Sequence, residues 1–160
     1  QYEATRRTDT ALTISVNPDD YMDAREFELA VSIHASIGVR CLQQHRPVST
    51  QAGTEHARPR NTTEFLDGCS AIEPDPDDNP NLAQETLANA PDSTSYFFTV
   101  GRNKDIDSIK RMAPALPRSA ACVVLQAATG QSRAIKRYPD FTLATVGDLN
   151  DLPLIMGVLA

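Results

Sequence analysis

Ala11–Ala24 reads ALTISVNPDDYMDA, and the order of residue types in this stretch decides the fold. Leu12, Ile14 and Val16 alternate with Thr13 and Ser15, the period-two pattern of a β-strand. Asn17-Pro18-Asp19-Asp20-Tyr21-Met22 interrupts that pattern as a loop. Asp23 then stands three residues before Glu26, the spacing of a capping box that opens a helix. In an α/β sheet the loop leaving the first strand lies where ligands usually sit, at the point where strand order reverses.

The spacing predicts a helix from about Ala24 to Gln44. Phe27, Ala30, Val31, His34, Ile37, Gly38 and Cys41 share one face, and Leu29, Ile33 and Val39 widen it, so the helix is expected to be well buried. Pro47 ends it. Val48, Thr50 and Ala52 alternate as a second strand, Gly53 marks a turn, and a short third strand is expected near Glu55–Arg60. Asn61 and Glu64 suit the start of a helix carrying Phe65, Leu66, Cys69 and Ile72. The acidic, proline-rich run EPDPDDNP, Glu73–Pro80, reads as a solvated connection, with Asn79-Pro80 as N-cap and first residue of the next helix. That helix carries Leu82, Leu87 and Ala88 and stops at Pro91.

Tyr96–Val100 (YFFTV) and Ala120–Ala128 (AACVVLQAA) are continuous apolar runs of the kind found in strands covered on both faces. Asp105 is placed to cap a helix with Ile106, Ile109 and Met112. Phe141–Val146 reads as a last strand, and Asp151 and Pro153 stand at the mouth of a C-terminal helix with Leu154, Ile155, Val158 and Leu159. Strands alternating with helices predict a three-layer, doubly wound α/β domain over residues 1–160, with residues 1–10 as a lead-in. Its sheet is expected to be mostly parallel and six-stranded, with one short antiparallel edge strand.

A chain of 160 residues is normally one domain, and folding at this size buries roughly 70% of the unfolded surface. The net charge of -6 argues against a protein that tracks nucleic-acid phosphates. Arg58, Arg60 and Lys136-Arg137 are short basic groups of the solvated kind. Cys41, Cys69 and Cys122 are odd in number and lack CxxC spacing, a pattern of buried thiols in a reducing compartment. No apolar run approaches the ~20 residues that span a bilayer. The first residue is Gln1, which suggests a fragment of a longer protein.

The lead-in QYEATRRTD, the strand ALTISV, the helix AREFELAVSIHASIGVRCLQQ, and the later YFFTVGRN and AACVVLQA segments together resemble the von Willebrand factor A-like domains. The likeness is greatest to the C-terminal half of the bacterial family called domain of unknown function 58. It covers nearly the whole chain and rests on layout more than on any invariant motif. Such domains usually carry a metal-ion-dependent adhesion site, Asp-x-Ser-x-Ser after the first strand, completed by a Thr and an Asp from two other loops. Magnesium takes an octahedron of oxygens, so hydroxyls and water-bridged carboxylates leave one position for a partner's carboxylate. Matched to that motif, Asn17 stands for the first Asp, Asp19 for the first Ser and Tyr21 for the second Ser, with Met22 following. Thr62 or Thr63 stands for the second-loop Thr, and Asn103 or Asp105 for the third-loop Asp.

The departures describe a degenerate site. Asn17 lacks the anionic anchor, Tyr21 is too long for a simple hydroxyl ligand, and Pro18 stiffens the loop. Asp19 and Asp20 remain as carboxylates for a hard cation, although acidic residues near a helix N-terminus are also ordinary dipole partners. The resemblance implies a non-catalytic interaction domain, cytoplasmic, in a larger membrane-anchored bacterial protein, with no membrane contact of its own. It also implies an assembly role with a MoxR-type AAA+ ATPase. The contact rim would be Asn17–Tyr21, Thr62–Thr63 and Gly101–Asp105. The rival reading is a small-molecule hydrolase or transferase at the same rim, with Asp19 or Asp20 as general base; a concave pocket there would favour it.

The sequence has no GxGxxG after a strand, no GxxxxGK[ST], no GxSxG and no HExxH. His34 falls on the apolar helix face and reads as a hydrogen-bonded core histidine. His45 and His56 flank the second strand without ligand-spaced partners. Cys41 and Cys122 read as buried small hydrophobes, and Cys69 has no nearby His.

Overall fold

The structure is a computed structural model that describes residues 9–78 and 81–159. Leu12 and Ile14 face one side of strand β1 (Thr10–Ile14) and Ala11 and Thr13 the other; every β1 residue is buried. A strand covered on both faces belongs in the interior of a parallel sheet. β1 indeed pairs in parallel with both β2 (Val48–Ala52) and β4 (Ser95–Gly101). β4 pairs in parallel with β5 (Ala121–Ala127), and β5 with β7 (Thr142–Val146).

Each edge of the sheet is closed by a short antiparallel strand. β3 (Glu55–Ala57) turns back along β2, and β6 (Ala134–Arg137) turns back along β7. Among the described residues the order is β3-β2-β1-β4-β5-β7-β6. This is a Rossmann-like three-layer α/β sandwich with seven strands rather than six. The additional strand is AIKR, exposed or half-buried along its whole length. An edge strand of this kind has too few apolar residues to show a period.

Helices cover both faces. On one side α1 (Ala24–Gln43), α2 (Thr62–Ser70) and α5 (Leu152–Leu159) enclose Leu12, Ile14, Leu125 and Val146. On the other, α3 (Leu82–Asn89) and α4 (Ile106–Met112) enclose Tyr96, Phe98, Val100 and Val124. Each such apolar side chain contributes about 1.5–3 kcal/mol on burial. Thr13 and Thr86 share a hydrogen bond of 2.7 Å between β1 and α3, which satisfies both buried hydroxyls.

Several boundaries differ from those the sequence suggests. α3 is capped by Asn81, whose side chain accepts from the Gln84 amide; Asn79 and Pro80 lie outside the described residues, as do residues 1–8. Thr10, expected in the lead-in, already belongs to β1. At the C-terminus Asp148 caps a 3-10 turn, Leu149–Asp151, that leads into α5. Leu152 and Ile155 are its buried residues, while Leu154 and Val158 are exposed. Leu66 is likewise exposed on α2.

α1 ends in a hydrogen-bonded reversal rather than at Pro47. The Arg46 amide donates to the Cys41 carbonyl (2.9 Å) and the His45 amide to Leu42 (3.0 Å). This is the Schellman arrangement, whose pivot residue must be left-handed. His45 occupies the pivot at φ 60°, a conformation that disfavours any residue with a Cβ. Replacing His45 by Gly should therefore raise stability by about 0.5–1 kcal/mol, measured as a higher urea midpoint with an unchanged slope. His45 is exposed, so no packing is lost in exchange.

Candidate functional site

The parallel strands all end at one edge of the sheet. Strand order reverses between β1, whose crossover leads to β2, and β4 on its other side. The crevice above these two strands is the usual ligand position in this architecture. Here the chain itself fills it. Asn17 accepts from the Asp19 amide (2.9 Å), and Pro18 opens a 3-10 turn over Pro18–Asp20. That turn lies directly on Gly101 at the end of β4: a Cβ built there would sit 2.0 Å from the Asp20 carbonyl oxygen. Asn103, just beyond, donates from its amide to Asp20 O (3.0 Å) and from Nδ2 to Tyr21 O (3.0 Å).

Tyr21 turns inward. Its hydroxyl donates to the Ser15 carbonyl at 2.6 Å, and its ring meets Phe27 edge-on, with centroids 5.2 Å apart. Burial, then the negative charges of Asp20 and Glu26, hold its pKa well above the ordinary tyrosine value. Ser15 donates its hydroxyl to the Asp20 carboxylate, and Lys104 Nζ stands 4.0 Å from the same oxygen. The Ser15, Asp20 and Lys104 side chains of the crevice are thus matched to one another.

Beneath this loop lies the charged centre of the structure. Glu26, in the first turn of α1, is completely buried. Its Oε1 accepts from the amides of Met22 (3.0 Å) and Arg102 (3.1 Å). Its Oε2 accepts from Arg102 Nε (2.6 Å), the Thr129 amide (3.2 Å) and Thr129 Oγ1 (3.4 Å). Arg102 Nη2 continues to the Thr129 carbonyl at 2.6 Å. Glu26 therefore joins the loops that leave β1, β4 and β5. Burial alone would raise its pKa, but the Met22 and Arg102 amides and the Arg102 guanidinium outweigh burial and hold it below the ordinary 4.5.

Of the residues matched to a metal loop, Asn17, Asp19, Asp20, Tyr21 and Asn103 come together at this rim. Asp105 lies just beyond and caps α4, accepting from the Asp107 amide. Thr62 and Thr63 do not join them. They open α2 toward the opposite edge of the sheet, where Arg58, just upstream, bonds Ser49 in β2 and pairs with Asp9 before β1 (3.7 Å). The donor set does not fit magnesium. Asn17 and Asp20 are engaged by protein donors, the tyrosine hydroxyl points into the fold, and within the Asn17–Tyr21 loop only the exposed Asp19 offers a carboxylate outward. No three His, Cys, Asp or Glu among the described residues are grouped to hold a metal ion.

Three readings change. His34 is buried, but its Nδ1 has no hydrogen-bond partner, whereas a core histidine is expected to be satisfied. Burial pushes its pKa down to about 3, so the imidazole is neutral. The acidic run is not a free spacer: the Asp75 amide donates to Val16 O (2.9 Å), and Asp78 Oδ2 accepts from the Thr54 amide (3.1 Å). Cys122 is half-buried rather than enclosed. Burial, then the charge of Asp140, pushes its pKa up to about 12, and burial pushes Cys69 up to about 11. Neither is a thiolate nucleophile at neutral pH.

No protein-family model matches the chain, and no curated protein matches it.

Two acid-sensitive groups define separate pH windows. His34 stays neutral when folded but gains a proton when unfolded below its ordinary 6.5. The unfolded state then binds more protons, so stability should fall from about pH 6.5 downward. Glu26, held below 4.5 in the fold, contributes fully above about 4.5 and loses its contribution as pH falls through the folded value. Urea denaturation from pH 8 to 3.5 should show a decline beginning near 6.5 that His34→Phe removes and Glu26→Gln leaves in place. At pH 7 Glu26→Gln should cost about 3–4 kcal/mol, the lower part of the range for breaking a buried pair, because Arg102 retains access to water.

The unsuitable donor set makes a second outcome testable. Millimolar MgCl2 or MnCl2 should leave the melting temperature unchanged after correction for ionic strength; a saturable rise would mean a bound cation.

Proposed function

We propose that this domain is a non-catalytic protein-interaction module whose contact surface is the loop rim at the carboxyl edge of the sheet. The observation that carries the reading is the filled switch-point crevice. With the Pro18–Asp20 turn resting on Gly101 and Tyr21 bonded to Ser15, a small substrate has no room between the β1 and β4 loops. What the rim presents outward is Asp19, a half-exposed Met22 and Asn103. A methionine flanked by polar groups is an adaptable contact for a protein surface.

The closure also weighs against a hydrolase or transferase at this rim. A general base needs a positioned partner and a substrate within reach. Asp20 is committed to Ser15 and Lys104, and Asp19 stands exposed in the 3-10 turn. The layout resemblance to the von Willebrand factor A-like domains supports the same reading. It suggests as partner a MoxR-type AAA+ ATPase, and as context a larger bacterial protein anchored in a membrane, with this domain on the cytoplasmic side. The site in that comparison is a degenerate adhesion site that recognises its partner without a metal. The acidic net charge disfavours nucleic acid as the partner.

A photo-crosslinking residue at position 22 tests the proposal. It should yield a discrete adduct with the purified ATPase, or with another protein component of the same cell. The adduct should disappear in Asp19→Arg, and a probe at exposed Lys136 on β6 should give none. An adduct from both positions, or from neither, would overturn the rim as a docking surface.

A further inference from the structure

Among the described residues no strand pairs with the outer side of β6. The Tyr138 amide donates to the Phe141 carbonyl at 2.8 Å, so Tyr138 and Phe141 form a hydrogen-bonded pair of the antiparallel ladder. Such pairs alternate with pairs whose N–H and C=O groups point away from each other. In the register of β6 with β7, Ala134 and Lys136 therefore bond β7. The N–H and C=O groups of Ile135 and Arg137 point outward, away from the sheet. A row of free donors and acceptors of this kind is a template for a further strand.

The side chains along this edge narrow what that strand can be. Lys136 stands opposite Leu143 on the α4 side of the sheet. Tyr138, two residues on, shares that face, and Lys110 Nζ lies 5.0 Å from its ring centroid. Ile135 packs on the other face, against the core beneath α1 and α5, and Arg137 shares its side. Lys110, Lys136 and Arg137 are exposed, and no ion pair joins them to a carboxylate among the described residues. Arg133, just before β6, reaches Asp151 at 3.5 Å, which turns one flank of the C-terminal helix toward the β6 edge. Leu154 and Val158 follow Asp151 on that flank at helical spacing, and they are 55% and 59% exposed. An open strand edge, unpaired cations and an apolar helix stripe thus lie side by side.

We propose that the outer edge of β6 takes an extended acidic segment of a partner protein as an eighth strand. The segment alternates carboxylate and branched apolar side chains. Its backbone pairs with Ile135 and Arg137, the β-augmentation mode of peptide recognition. The period of two sends its side chains to opposite faces: carboxylates toward Lys136 and Lys110, apolar groups toward Leu154 and Val158. Charge selects this occupant. A second copy of β6 would bring Lys136 and Arg137 against the same cations, and lysine on an edge strand discourages self-pairing in that way. An acidic strand meets attraction here, whereas at the opposite edge β3 presents Glu55. The chain as a whole carries a charge of -6, so its remaining surface repels the same segment.

The test uses the peptide acetyl-(Glu-Val)3-amide with the purified chain, read by calorimetry and by amide hydrogen exchange. The peptide should bind saturably and slow exchange at Ile135 and Arg137. The Lys136 amide, already bonded to β7, should change little. Acetyl-(Lys-Val)3-amide should not bind. Lys136→Glu should weaken binding about tenfold, since it turns an exposed attraction into a repulsion of similar size. Arg137→Pro should bind about fivefold more weakly than Arg137→Ala, the order set by one hydrogen bond. Proline is tolerated on an edge strand where the N–H faces solvent, and the exchange measurement on the unaltered chain needs no variant to fold. Absence of saturable binding at millimolar (Glu-Val)3, equal binding of (Lys-Val)3, or unchanged exchange at Ile135 and Arg137 would overturn the site. A crosslinking residue in place of Lys136 itself removes the cation the strand needs, so the experiment at the rim and this one fail independently.

Discussion

The buried carboxylate of Glu26 is the constraint around which the carboxyl edge of the sheet is arranged. A charge without exposure is tolerated only when donors surround it. The donors come from three places distant in sequence: the Met22 amide, the Arg102 amide and guanidinium, and the Thr129 amide and hydroxyl. Each follows or precedes a regular element whose position is set by apolar packing. Once α1, β4 and β5 are packed, the loops must converge on this carboxylate or leave it unpaired. An ion pair of this kind adds little net stability relative to an apolar replacement; its effect is to leave the β1, β4 and β5 loops one mutual arrangement.

That arrangement explains why the switch-point crevice is closed. With Met22 and Arg102 both tied to Glu26, the Pro18–Asp20 turn is drawn across the end of β4. Gly101 lets it rest there, because any side chain would strike the Asp20 carbonyl. Tyr21 then has no outward path, and its hydroxyl finds the Ser15 carbonyl below. The groups that a ligand would have used, a carboxylate at Asp20 and a hydroxyl at Ser15, are spent on each other. Asn103 seals the seam by bonding two successive carbonyls of the loop.

The central layer was legible in the sequence because it is written in side-chain periodicity. ALTISV, YFFTV and AACVVLQA announce interior strands, and Asp23, Asn61 and Asp105 each cap the helix their spacing suggests. β6 was not legible, since an exposed four-residue edge strand has no apolar pattern to show. The capping-box spacing located Glu26 correctly but understated it. A capping glutamate is expected to reach back to the cap residue's own amide, whereas this one bonds the amide of Met22, one residue earlier, and two loops far along the chain. Nothing local distinguishes Arg102 or Thr129 as its partners, for those contacts exist only once the sheet order is set. The strand–loop–helix order sets the Asn17–Tyr21 loop at the carboxyl edge of the sheet, while Thr62 and Thr63, matched by residue type, lie elsewhere because β3 reverses the chain before α2 begins.

The two polar residues buried along α1 make opposite uses of one helix. Glu26, at its N-terminal end, is surrounded by donors from the chain itself, and the loops above it are closed. His34, two turns on, leans on Phe65 of α2 and has its buried Nδ1 unmatched. The helix cannot shift to relieve His34. Its N-terminus is held by the Glu26 contacts, its face by Phe65 over Gly38, and its C-terminus by the reversal at His45. A histidine fixed in that way bears a standing desolvation cost, on the order of 1–3 kcal/mol.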